Sequence, residues 1–261
     1  MATAGRIGHN LTWRSIPVMA DAKAKLGTPL SKTQIPVSVH RLLSRYAEHC
    51  ESVWQADQHH NWLPFTSKLT IKKAVHHFNQ DRNEQNQHQL MQSAASLWSQ
   101  WYFGLMLPPA ALAAVVPINH RFQMKPKSLQ AQFESGQPVA FQAQWQRSLL
   151  TPHEIMTDVM ETWVEPVIHC LASLSGLTPR IFYGNVAAIL DWLWQQQGSE
   201  QAQQLRQSML YTRDLRNSEP MQGLLLPPPR QGQRRGCCLR FRLEDVPYCS
   251  GCPMTRRTPC P

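Results

Sequence analysis

Five of the seven cysteines in this 261-residue chain crowd into its C-terminal end: Cys237, Cys238, Cys249, Cys252 and Cys260. Four of them have a spacing that restricts what the segment can become. Cys237 and Cys238 are adjacent, and after ten intervening residues comes Cys249-Ser250-Gly251-Cys252. Two intervening residues let both sulfurs of such a pair face one metal across a tight turn, and Ser250-Gly251 suits that turn sterically. The four thiols form a soft donor set that selects zinc or an iron–sulfur cluster over hard cations. Adjacent side chains diverge, so Cys237-Cys238 is an awkward chelate for one small ion and easier to fit to a wider diiron cluster. Spacing alone leaves zinc, iron–sulfur and vicinal disulfide chemistry open. No histidine follows His169, which excludes a Rieske-type histidine pair inside the tail.

Charge concentrates in the same place. Between Arg230 and Pro261 stand seven arginines and two acidic residues, so +5 of the chain's net +9 lies there. Arg234, Arg235, Arg240 and Arg242 flank the cysteines. Nearby cations stabilise thiolates and raise a cluster's reduction potential. The rival meanings are a solvated face or a nucleic-acid patch.

Met1 to Val18 has no unbroken apolar run, which predicts no secretory leader. With an odd cysteine count, that argues against a disulfide framework and for a reducing, cytoplasmic setting. Trp101 to Ile118 is uncharged and invites a membrane reading. Pro108-Pro109 at its centre argue instead for two core helices, or a helix and a loop, meeting at the prolines. A peripheral contact with the inner membrane stays compatible with the pattern.

The expected body is mainly helical. Helical spacing marks Val37 to Val53, Thr70 to Phe78, Gln89 to Leu107, Ile155 to about Leu174, and Gly184 to Trp194. Asn79 to His88 reads as a surface loop, and the Gln-rich stretch to about Arg216 as a polar segment. Thr151-Pro152 with Glu154 resembles a helix start. Residues 129–145 alternate apolar and polar around Ser135-Gly136, which predicts a hairpin in one small antiparallel sheet. Pro227-Pro228-Pro229 reads as a stiff, extended spacer. The expected class is therefore α+β, predominantly α-helical, with a body over 1–229 and a cysteine-rich segment over 230–261.

Three further groups invite assignment. Trp98, Trp101 and Tyr102 sit at helical spacing and read first as core, second as flat walls for a bound ligand. His59-His60 and His76-His77 read as surface polar residues, because neighbouring histidines rarely chelate one ion on a helix. Cys50 and Cys170 fall on apolar helical faces and read as small buried hydrophobes.

The stretch Arg234-Arg235-Gly236-Cys237-Cys238-Leu239-Arg240-Phe241-Arg242-Leu243, running into Cys249-Ser250-Gly251-Cys252, resembles the C-terminal signature of the FhuF-like siderophore-iron reductases. The run from Ser96-Leu97-Trp98 through Trp101-Tyr102 to Pro108-Pro109 is similar to that family too, as are Asn185 and Leu190-Asp191-Trp192. The resemblance covers about residues 90 to 252. It implies a cytoplasmic bacterial protein with one [2Fe–2S] cluster on Cys237, Cys238, Cys249 and Cys252. That cluster would pass an electron to Fe(III) held by a siderophore, often of the hydroxamate type, with no obligatory acid–base residue. Cys260 and the tail beyond Cys252 depart from the pattern, and Cys260 reads as a spare thiol.

On this reading Arg234, Arg235 and Arg240, with Trp98, Trp101 and Tyr102, are the candidate contacts for substrate or electron donor. The donor would be a ferredoxin, a flavodoxin or a flavin reductase, and nucleic acid is not an expected partner. Two other functions compete. One is a zinc-stabilised basic binding module, which lacks a recognition helix. The other is a siderophore-biosynthetic ligase, which would need ATP although the chain has no P-loop motif.

Overall fold

The computed structural model describes residues 63–254, apart from 65–66, 81–86, 117–119, 123–128, 213–219, 229, 244–245, 247 and 250–251. The expected helix at 37–53, Cys50, His59-His60 and Cys260 lie outside the described residues. Within them the class is the expected one, a mainly helical body with small antiparallel sheet. The helices are α1 (Lys68–Gln80), α2 (Gln87–Val115), α3 (Pro152–Val159), α4 (Glu165–Ser175), α5 (Pro179–Gln197) and α6 (Glu200–Arg206).

Helix α2 is the axis of the body, and its most extensive contact is with α5. Every residue from Tyr102 to Val115 is buried, which is the pattern of a helix surrounded by protein. Pro108 and Pro109 lie inside it. The expected break at the prolines is therefore absent. Each proline withholds a donor, from the carbonyls of Gly104 and Leu105, at about 3 kcal/mol or more. Leu105, Met106, Leu107 and Leu112 are buried around them, and each such side chain contributes about 1.5–3 kcal/mol. Packing outweighs local propensity here. Among the described residues no helix is long and apolar enough to cross a membrane.

Thr151 caps α3 with a reciprocal capping box: its hydroxyl accepts from the Glu154 N–H, and the Glu154 carboxylate accepts from the Thr151 N–H. A π-turn over Met160–Val164 continues α3 into α4, just ahead of Pro166, whose missing N–H interrupts the regular ladder. The Gln-rich stretch is not simply polar. It forms α6 and a π-turn at Gln207–Tyr211, with Ala202, Leu205, Met209 and Leu210 buried. The glutamines Gln201, Gln203 and Gln204 face solvent, which is why apolar content alone hides the helix.

The hairpin is present. Strands β3 (Leu129–Glu134) and β4 (Gln137–Ala143) pair antiparallel, with β1 (Leu63–Pro64) on the far side of β3. The turn residues Ser135 and Gly136 both have positive φ, the two-residue geometry that matches strand twist. Only glycine fits the second position, because a Cβ on Gly136 would lie 2.2 Å from the Ala74 carbonyl oxygen. A second, two-stranded ladder adds to the one expected sheet: β2 (His120–Phe122) pairs with β5 (Trp145–Arg147).

Candidate functional site: a thiol cluster anchored to the helical body

The tail does not run on from the prolines as an extended spacer. The Arg230 N–H bonds the Pro227 carbonyl at 3.1 Å, and the Leu226 N–H bonds the Gln233 carbonyl at 2.8 Å. Leu225 pairs antiparallel with Arg234. The chain thus reverses, and two buried polar groups on α5 hold the reversal down.

The first group is Asp191. Its Oδ1 accepts from Nε of Arg206 at 2.8 Å and from the Tyr211 hydroxyl at 2.7 Å. The Tyr211 oxygen accepts in turn from the Gly232 N–H at 3.1 Å. Burial, then the bond to Asp191, pushes the Tyr211 phenol well above its usual range. Gly232 has φ +83°, and a Cβ there would meet Asp191 Oδ2 at 2.9 Å. Arg206 and Asp191 are both almost fully buried, so this is a paired internal charge, where loss of either partner is costly.

The second group is Asn185, which has no exposed surface. Its Nδ2 donates to the carbonyl and hydroxyl oxygens of Ser96 at 3.1 and 3.3 Å, and to the Ser99 hydroxyl at 2.8 Å. Its Oδ1 accepts from Nη1 of Arg234. One amide side chain therefore joins α2, α5 and the tail.

Beyond Arg234 the four cysteines come together. Cys238 and Cys249 lie with their sulfurs 3.7 Å apart, and Cys252 is close enough to Cys237 to raise its thiol. The Cys249–Cys252 turn closes with a 3.0 Å backbone bond. Leu239, at φ 60°, turns its N–H back onto the Cys237 sulfur at 3.4 Å. Each member of the vicinal pair thus faces a different cysteine of the second pair. Among the described residues no group of three His, Cys, Asp or Glu side chains is gathered as a ready-made metal site; the thiols stand as two pairs.

The electrostatics differ within each pair. The hydrogen bond it shares with Cys249 holds the Cys238 thiol well below its ordinary range against the opposing effect of burial, with help from Arg234, the Arg240 N–H and Gln100. Cys249 is raised correspondingly. Burial pushes the Cys237 thiol up, partly offset by the Leu239 N–H. Arg240 is buried beside Cys238 and Cys249, and desolvation lowers its guanidinium while both sulfurs oppose that.

The candidate arginines therefore separate. Arg234 and Arg240 act on the thiols. Arg235 is exposed, and its backbone N–H bonds the Leu224 carbonyl at 2.9 Å. The aromatic candidates separate as well. Trp98 and Tyr102 have no exposed surface and stack at 4.5 Å, and Trp98 Nε1 donates to the Gly136 carbonyl at 2.7 Å. They are core, as their helical spacing first suggests, and neither reaches solvent to touch a ligand. Trp101 is half-buried, and its Nε1 has no hydrogen-bond partner among the described residues. His76 and His77 are exposed on α1, and Cys170 is buried there against the Lys68 carbonyl. Asn185 and Asp191 were visible in the sequence only as part of the family-like stretch. Nothing in their spacing announces a role.

A model of the family described as "Ferric iron reductase FhuF-like transporter" matches residues 96–247. The chain belongs to this family. The match includes Ser96, Ser99, Asn185, Asp191, Arg234, Cys237 and Cys238, and it ends before Cys249 and Cys252. The chain is also similar to a curated protein of Escherichia coli (strain K12) named "Ferric siderophore reductase", at 28% identity over 173 residues. That similarity takes in 61% of this chain and 64% of the relative, a little less than two thirds of the relative's length. In FhuF-like terms, the paired Ser96/Ser99–Asn185–Arg234 contacts and the vicinal thiols all fall inside the family-matched region.

Proposed function

We propose that this chain reduces siderophore-bound Fe(III) to Fe(II) by one electron, using a [2Fe–2S] cluster held by Cys237, Cys238, Cys249 and Cys252. The observation that carries the reading is the arrangement of four thiols as two facing pairs beneath two arginines. A bond of 2.3 Å in tetrahedral geometry puts two thiolates on one metal about 3.8 Å apart, and Cys238 and Cys249 are 3.7 Å apart. Cys252 lies near enough to Cys237 to raise its thiol, so the four thiols could give two ligands to each metal of a diiron cluster or all four to one zinc; the diverging side chains of the vicinal pair favour the wider cluster. Family membership and the printed name of the Escherichia coli relative support the substrate.

Such a cluster supplies single electrons, and one electron suffices because Fe(II) is held far more weakly than Fe(III) by hard oxygen donors. The protein's own residues prepare the site. Arg234 and Arg240 favour thiolate over thiol, the ionised form that binds metal. Asn185 fixes Arg234, and the Asp191–Tyr211–Gly232 chain fixes the reversal that carries it. Gln100, from the middle of α2, adds to the lowering of the Cys238 thiol. The exposed Arg235 and Arg242 suit steering of an acidic one-electron donor of the ferredoxin or flavodoxin kind, and a flavin reductase remains an alternative donor. The setting is cytoplasmic, where such donors and thiols stay reduced.

Visible spectroscopy with iron and sulfide analysis tests the reading. The purified protein is expected to be red-brown, to carry two irons and two sulfides per chain, and to lose colour in Cys237→Ser. It should then convert a ferric hydroxamate to Fe(II) trapped by a ferrous chelator when reduced anaerobically. A colourless protein containing zinc overturns it.

A further inference from the structure

Helix α1 packs on the body by one face and turns the other to solvent. Ile71, Ala74, Val75 and Phe78 are buried, and the helix packs against α2 and α4. The opposite face carries Lys68, Leu69, Lys72, Lys73, His76 and His77, all exposed. The helix contains no carboxylate, and among the described residues none of the three lysines is in an ion pair. Neighbouring elements supply little opposing charge. The hairpin that meets α1 at Ala74 carries Glu134, which pairs with none of them, and Glu165 of α4 bonds Tyr183.

This arrangement works against the helix itself. Lys68 and Lys72 stand four residues apart, the spacing at which like charges repel. Lys68 is also in the first turn, where the helix dipole disfavours a cation. Nothing within the described fold repays these costs, so the compensating negative charge belongs to a partner.

Residue type separates the kinds of anionic partner. Nucleic acid is gripped best by arginine forks on phosphate and aromatic rings on bases, and the face has neither. Protein interfaces concentrate Trp, Tyr and Arg and are depleted of lysine. A lipid surface needs none of these: lysines sit at anionic headgroups while a large aliphatic side chain dips beneath them. Leu69 lies among the lysines and is 63% exposed.

We propose that the exposed face of α1 docks on an anionic lipid bilayer, with Lys68, Lys72 and Lys73 at the headgroups and Leu69 inserted. The chain's net charge of +9 draws it to such a surface from a distance, and α1 sets which side lands. The uncharged stretch around Pro108-Pro109 is buried in the body and takes no part. Three lysines and one leucine make a peripheral, reversible contact. This surface is independent of the cysteine site and of its chemistry.

Cosedimentation of the full chain with vesicles tests the contact, using phosphatidylcholine alone and an equimolar mixture of phosphatidylcholine and phosphatidylglycerol. Wild type is expected to bind the mixed vesicles at low salt, to leave them as salt rises, and to ignore the neutral ones. Lys72→Gln and Lys73→Gln should each lower the partition coefficient roughly fivefold and flatten its salt dependence. Leu69→Ala should lower it by the same factor at low and at high salt, because insertion is not screened. All three variants should keep or raise Tm, since they change only the solvent face and two of them relieve repulsion. Arg230→Glu with Arg235→Glu, both exposed in the tail, removes more charge than Lys72→Gln with Lys73→Gln and should weaken binding less. No binding to the mixed vesicles, equal binding to the neutral ones, lysine variants at wild-type affinity, or a greater loss from the tail pair would each overturn the surface. A short DNA duplex that binds as tightly as the vesicles and is released by the same lysine changes would overturn the lipid assignment in favour of nucleic acid.

Discussion

Arg234 donates from Nη1 to Oδ1 of Asn185, and this bond ties the cysteine tail to the centre of the helical body. Asn185 is wholly buried, and its amide donors are used by Ser96 and Ser99 of α2. Asn185→Ala would leave the Arg234 guanidinium without its internal acceptor and the two serines without their donor. Unsatisfied buried groups cost about 1–3 kcal/mol each, so the expected destabilisation is about 2–4 kcal/mol in urea unfolding. Hydrogen exchange should rise across 233–238 before it rises in α1. Uniform exchange across the chain would mean that Asn185 supports the whole body and not the tail in particular.

Tyr211 bridges Asp191 and the Gly232 N–H, so Tyr211→Phe removes the bridge and keeps the ring. The carboxylate retains Arg206 at 2.8 Å, which limits the loss to about 1–2 kcal/mol. Exchange of the Gly232 amide should accelerate, while the amides of α2 should hold. Gly232→Ala is expected to be worse than Tyr211→Phe, because it forces both a left-handed backbone and a contact with Asp191. A Gly232 amide that exchanges at the wild-type rate in Tyr211→Phe would show that the reversal is held by its own backbone bonds.

Trp98→Phe separates core from site. The indole N–H is bonded to the Gly136 carbonyl, and the ring stacks on Tyr102. Phenylalanine loses the bond and leaves a small cavity, together about 2–3 kcal/mol. The midpoint of denaturation should fall, while visible spectrum and affinity for the ferric chelate stay at wild-type values. A variant of normal stability with weakened substrate binding would return Trp98 to the substrate site.

Periodicity and spacing made much of this legible. The helices around Leu97, Val167 and Leu190 follow from apolar recurrence, the Ser135-Gly136 turn from its residue pair, and the α3 cap from Thr151 and Glu154. Those signals act over a few residues, and tertiary context does not reverse them. Pro108-Pro109 was misleading because a local cost is judged against burial on all sides, which no window of sequence displays. The glutamines of α6 masked a helix whose buried face is Ala202, Leu205 and the charged Arg206. The cysteine spacing marked the site, but not what holds it. Asn185 meets Ser96 and Ser99 across 89 and 86 residues, and a contact of that range leaves no periodic trace.

The capping box gives a pH signature that is independent of the thiols. The Thr151 N–H, then the Thr151 hydroxyl, hold the Glu154 carboxyl below its ordinary value of 4.5. A carboxylate whose pKa is lower in the folded chain contributes stability above its unfolded pKa and loses that contribution as pH falls through the folded value. Glu154→Gln keeps an oxygen acceptor and removes the charge. Wild type should therefore be the more stable of the two at pH 6, by a small margin because the pair is solvent-exposed. The margin should close as pH falls below 4.5, measured by urea midpoints at matched ionic strength. A margin that stays constant from pH 6 to pH 4 would mean that the charge of Glu154 contributes nothing, and that the cap acts through geometry alone.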